Sequence, residues 1–249
     1  TNGGLRYPMP GQTGGAIWNT AHEVMYDMHS VEGGGNSATQ SSVIFPKPGA
    51  PGRYCLFTMD ETEYIWLPPT PGQPFGRGLS YFEIDMTMNG GLGGVADYKE
   101  AIYVPTIEGL CAIRQPNGID YWVVIHNTAV NGLLCYPVTV QGIGLPVFNH
   151  FGTGIVSMIK ASPDGRRIMR QRSITETVIY DFDALTGLIS NPDTLPLRGF
   201  STFSPDSRRF FISTYNGIYA YDVSAPGEAA TEKFVGKLPQ VQDGHSLKE

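Results

Sequence analysis

The sequence predicts an all-β fold, a β-propeller of four-stranded antiparallel blades, and three observations predict it. One pattern is written twice: Lys160-Ala161-Ser162-Pro163-Asp164-Gly165-Arg166-Arg167-Ile168 is answered by Phe203-Ser204-Pro205-Asp206-Ser207-Arg208-Arg209-Phe210, and Tyr180-Asp181-Phe182 by Tyr221-Asp222-Val223. The repeat length, about 40–45 residues, is that of propeller blades. The composition, with 31 glycines, 19 prolines and only 16 % charged residues in 249, suits many short strands joined by tight turns. Short apolar runs bounded by turn residues then recur in the same order along the chain.

The chain is read as one domain, residues 1–249, with four full blades and a partial one, and the elements follow in order. Ala16-Ile17-Trp18 and Val24-Met25-Tyr26, joined by a turn at Asn19 to His22, read as the outer half of a blade whose inner strands are absent. Gly33-Gly34-Gly35 is a loop, because a strand does not tolerate such a run. The next unit has an inner strand from Gln40 to Phe45, a turn from Pro46 to Gly52, and a strand from Tyr54 to Thr58. Asp60 to Gly78 is proline-rich and far longer than a hairpin loop, which marks it as an insertion. Leu79 to Asp85, a glycine-rich turn at Asn89 to Gly94, and an outer strand near Ala101 to Val104 complete that unit.

The third unit runs from Leu110 through strands at Tyr121 to Ile125, Leu133 to Tyr136 and Pro146 to Phe148. In the fourth and fifth units, Pro163 and Pro205 pre-set φ at the first corner of a hairpin turn, Asp follows, and Gly165 or Ser207 completes it. The residues after Gln240 are polar and are expected to fray. Either the chain closes as a small ring, with Ala16 to Tyr26 completing a blade with the C-terminal strands, or it belongs to a larger ring. The second is the favoured expectation, together with a chain that is a processed or excised piece of a longer protein.

Bulk properties narrow the partners. Net charge is −6 and no run of Lys or Arg interrupts it, so nucleic acid and anionic membrane are not expected partners. No apolar stretch approaches the ~18 residues of a membrane-spanning helix. Cys55, Cys111 and Cys135 lack metal-ligand spacing and lie in apolar runs, where they read as small buried hydrophobes.

With those residues in view, the chain resembles the WD40-like, YVTN-type propeller domains of Bacteroidetes surface proteins exported by the type IX, gliding-associated route. The resemblance rests on Trp18-Asn19 with His22, on Gln40 to Gly49, on Asp85 to Gly93 with its Asn-Gly-Gly-Leu-Gly stretch, on Gly118 to Val124 with His126, and on Lys160 to Gly165. It runs from about Trp18 to Ala225. It implies an extracellular or cell-surface location, as one module of a longer protein. The Asp60 to Gly78 insertion and Ser207, where glycine is usual, depart from the pattern.

No catalytic residue, metal or cofactor is expected. No HExxH or nucleophile-elbow motif occurs, and no helix with a Lys follows Gly90-Gly91-Leu92-Gly93. Asp181, Asp183 and Asp222 look like paired carboxylates, but they recur with the blade and so read as turn and inter-strand residues. The loops joining second to third strands and successive blades share one propeller face, which would gather Glu108, His126, His150, Arg172 and Arg198 there, with the insertion. Tyr64 and Trp66 in the insertion are candidate contact anchors, since proline lowers the entropy lost on ordering a loop and aromatic rings suit protein or glycan recognition. The expected function is a non-catalytic module binding a protein, a glycan or other domains of its own surface assembly. The alternative is a lactonase-like hydrolase, for which Glu108, His126 and His150 are the candidates to activate water.

Overall fold

The computed structural model describes residues 16–27, 40–59, 78–103, 109–127, 132–151, 158–171, 175–197, 199–214, 217–224 and 231–236. A hairpin comes first, from β1 (Ala16–Trp18) and β2 (Val24–Asp27). Four antiparallel sheets follow in chain order. The first holds β3 (Ser42–Pro46), β4 (Arg53–Met59), β5 (Leu79–Asp85) and β6 (Gly94–Tyr103). The second holds β7 (Leu110–Arg114), β8 (Tyr121–Asn127) and β9 (Gly132–Thr139), with β10 (Gly142–Ile143) and β11 (Val147–His150) both on β9. The third is β12 (Ile159–Ala161), β13 (Arg167–Gln171), β14 (Thr177–Asp183) and β15 (Leu188–Leu195). The fourth is β16 (Phe200–Phe203), β17 (Arg209–Thr214), β18 (Gly217–Asp222) and β19 (Thr231–Gly236).

In the four sheets, strands consecutive in the chain pair antiparallel, except that β10 and β11 both pair with β9. Alternation then sends side chains to both faces, and both are buried where sheets stack. Phe45, Cys55, Phe57 and Tyr81 of the first sheet pack on Val123, Ile125 and Tyr136 of the second. The opposite face of the second sheet, with Ile113, Trp122 and Val124, packs on Ile159, Ile168 and Phe182 of the third. Met169 and Ile179 of the third meet Phe210, Ile212 and Tyr221 of the fourth. Each fully buried aromatic contributes on the order of 1.5–3 kcal/mol, so the stack is held by three apolar seams rather than by one central core.

The β1–β2 hairpin occupies the place of a preceding sheet. Ile17 packs on Leu56, Phe82 and Ile84 of the first sheet, and the Tyr26 ring lies 5.3 Å from Phe82 and 5.7 Å from Tyr98. It covers β4 to β6 and leaves Ile44 on β3 58 % exposed. Among the described residues the hairpin pairs with no further strand.

Several boundaries differ from the sequence reading. The outer strand expected near Ala101 begins at Gly94, and the turn before it includes a 3₁₀ segment, Asn89–Gly91. The fourth strand of the second sheet begins at Val147 instead of Pro146, which has no N–H to offer the ladder, and β10 is an addition. All three cysteines are buried and unpaired. Burial pushes the Cys111 thiol up to about 12 against the pull of Lys160, and it also raises Cys55 and Cys135.

Candidate functional site

The four innermost hairpins are closed in the same way, by Lys47 N–H to Arg53 O, Gln115 N–H to Asp120 O, Ser162 N–H to Arg167 O and Ser204 N–H to Arg209 O. That shared register makes the residue two places before each closing bond equivalent: Phe45, Ile113, Lys160 and Thr202. The strands carrying these residues, β3, β7, β12 and β16, line one central cavity of about 540 Å³.

Local chemistry builds the turns. The Ser162 hydroxyl donates to Asp164 Oδ1 at 2.6 Å and accepts the Arg167 N–H at 2.9 Å, while Asp164 accepts the Arg166 N–H. Ser204, Asp206, Arg208 and Arg209 repeat this arrangement. Gly165, at φ +71°, lies so close to the second sheet that a Cβ would come within 3.0 Å of Ile113. Ser207, at φ +60°, is strained for a side-chain-bearing residue, but its hydroxyl accepts the Asp164 N–H of the neighbouring turn at 2.9 Å. The departure from glycine thus joins two sheets.

The carboxylates that resembled catalytic pairs serve the same scaffold. Asp183 accepts from the Thr186 hydroxyl at 2.6 Å and the Leu185 N–H at 2.9 Å, and these bonds hold it below the ordinary carboxylate range. Asp222 is lowered by the Ser224 hydroxyl and N–H. Asp181 accepts from Asn191 at 2.8 Å and faces Arg167 at 3.3 Å. The Asp183 turn docks on the second sheet, where the Trp122 indole N–H donates to Ala184 O at 2.8 Å and a Cβ on Gly187 would lie 2.9 Å from the indole. In the first sheet, Glu83 would be raised by burial but is held low by Lys47 at 2.5 Å and Arg53 at 2.7 Å. Arg53 also reaches Asp85 at 2.9 Å, which ties the β3–β4 turn to β5.

Of the residues singled out from sequence, Tyr64, Trp66, Glu108, Arg172 and Arg198 lie outside the described residues, as does nearly all of the insertion. His126 and His150 are described, at the same end of the second sheet, beside Leu133 and Gly132 of β9. The expectation of a loop position for both does not hold. His126 is a strand residue only 2 % exposed, and burial, aided by the Arg170 charge, lowers its pKa to about 4. His150 is exposed on the outer strand, its ring edge-on to Phe148 at 4.2 Å. The two therefore flank β9 at one end of the sheet and differ in burial, His126 within the stack and His150 at its surface.

The sequence reading passed over Lys160, which stands inside the repeat taken for scaffold. Its signal was available: at the equivalent register the preceding two units carry Phe45 and Ile113, both buried in the seam to the following sheet, whereas Lys160 is charged and half-buried. Among the described residues, the cavity's charged lining is Lys160 and Arg114, with no Asp, Glu or His. The Arg114 guanidinium gives two of its five N–H donors to Gly118 O. The Lys160 ammonium makes no ion pair or hydrogen bond with another described residue. Elsewhere among those residues, no group of three His, Cys, Asp or Glu side chains is placed to hold a metal ion.

No family model matches the chain, and no curated protein matches it. Solved structures do. The Dos1 propeller shares 8 % identity over 91 % of this chain and 54 % of its own, at a TM-score of 0.53. The chain has a β-propeller fold. Its sheets are blades, and it spans about half the length of that propeller. Weaker likenesses are to a functionally unknown protein from Desulfotomaculum acetoxidans, 9 % identical over 79 % of this chain and 68 % of its own at 0.41. Another is to a Bacteroides uniformis protein assigned provisionally to the 6-phosphogluconolactonases, 9 % identical over 80 % and 84 % at 0.40.

Proposed function

We propose that this propeller is a non-catalytic binding module of a secreted or cell-surface protein, with a protein or glycan as its partner. The central cavity carries this reading. Its volume, about 540 Å³, falls in the range of ligand sites, roughly 300–1,000 Å³. Its lining offers hydrogen-bonding groups and an aromatic wall, Tyr121 stacked on Phe45 at 4.3 Å. Its described lining residues include no carboxylate or imidazole of the kind with which a lactonase would activate water. The secreted location and the role of Tyr64 and Trp66 rest on the resemblance and on the composition of the insertion.

The test is a glycan array and a surface-protein pull-down with wild-type protein and with Tyr64→Ala/Trp66→Ala, alongside a lactone hydrolysis screen. Binding in either format with a blank hydrolysis screen is the expected result. Lactone turnover with no partner in either format would overturn the reading, and binding untouched by the double substitution would move the contact away from the insertion.

A further inference from the structure

We propose that the central cavity binds a sugar acid, a monosaccharide-sized hydroxycarboxylate, with the ligand's carboxylate held by Lys160. This deepens the binding-module reading and rests on it. The chain as a whole is acidic, 23 Asp and Glu against 17 Lys and Arg, yet both charged residues among the cavity's described lining are basic. One of them, Arg114, donates to Gly118 O. Lys160 is thus a half-buried ammonium whose charge no described residue balances.

Its position makes this costly to the scaffold. In the first two blades the same register holds Phe45 and Ile113, each packed against the next blade. Lys160 lies opposite Met169, whose side chain belongs to the seam with the fourth blade, so an apolar residue there would extend that seam. A polar residue that breaks a packing pattern, with no partner among the described residues, is where function is expected. The fourth blade answers with Thr202, a hydroxyl beside the same cavity.

The other walls select the ligand class. The Lys160 ammonium is a compact point charge with three donors, suited to a charge-assisted hydrogen bond to a carboxylate. Tyr121, stacked on Phe45, adds an aromatic ring to the lining, a residue type suited to contact with the apolar side of a sugar. Gln40 lines the cavity, and its amide oxygen is buried with no hydrogen-bond partner among the described residues.

The experiment is calorimetric titration of the protein with D-galacturonate, D-glucuronate, D-galactose and glucose 6-phosphate. The variants are Lys160→Met and Lys160→Arg, each checked by thermal melting. At least one sugar acid is expected to bind the wild type. Binding should weaken at least about tenfold in Lys160→Met and survive in Lys160→Arg, with galactose and the phosphate weaker than the acid. Equal binding of the acid by folded Lys160→Met, equal binding of neutral galactose, preference for the phosphate, or no binding of any acid would each overturn the proposal. Persistent array or pull-down binding by a folded Lys160→Met would leave the binding-module reading standing while the cavity proposal fell, so the two failures are distinguishable.

Discussion

The turns Ser162–Arg167 and Ser204–Arg209 make the same hydrogen bonds and differ at two places that matter: Gly165 against Ser207, and, two residues before the turn, Lys160 against Thr202. The first difference is explained by the neighbouring blade, which crowds Gly165 with Ile113 and offers Ser207 the Asp164 N–H. The second has no scaffold explanation, since Lys160 stands where Phe45 and Ile113 pack. Repetition therefore marks the frame of this propeller, and the register at which repetition fails marks the cavity.

The frame can be broken most severely between blades. Trp122→Ala removes the indole that seats the third blade's outer turn and its bond to Ala184 O. The expected cost is about 3–5 kcal/mol in urea unfolding, with the turn around Asp183 losing amide-exchange protection first. A cost near zero would show that the turn does not depend on the seam.

Next in size is the pH dependence of His126. Its pKa is about 4 folded against 6.5 unfolded, so the unfolded chain binds the extra proton. Stability is therefore full above 6.5 and is lost as pH falls toward 4, by up to about 3 kcal/mol. His126→Leu should flatten that part of the curve, as measured by unfolding from pH 7.5 to 4.

The two turns can then be compared directly. Ser162 is buried and Ser204 is not, so Ser162→Ala should cost about 2 kcal/mol and Ser204→Ala about 1. Equal costs would mean that burial does not separate the repeats. Smallest is Ser207→Gly, which gives up one hydrogen bond of about 1 kcal/mol but relieves a positive φ of similar cost, for a net change within about 0.5 kcal/mol. Ser207→Ala keeps the φ and loses the bond, and should be the worse of the two.

Much of the frame was legible because its signals are local. Pro163-Asp164 and Pro205-Asp206 announce hairpin turns by their own geometry, and Ala16 to Tyr26 reads as a two-stranded outer piece from its brevity. The site was less legible because its signals are not local. Whether His126 lies in a loop or in a strand depends on where β8 ends, and its lowered pKa depends on burial and on the Arg170 charge from the next blade. Lys160 looks like any strand lysine until the closing bonds of four separate hairpins align it with Phe45 and Ile113.

The most direct test of the cavity as a ligand site is a crystal structure of the protein grown with D-galacturonate. The account predicts the sugar between the innermost strands of the four blades, with its carboxylate about 2.8 Å from Lys160 Nζ. A sugar seated elsewhere, or Lys160 Nζ turned to a carboxylate of the protein itself, would contradict it.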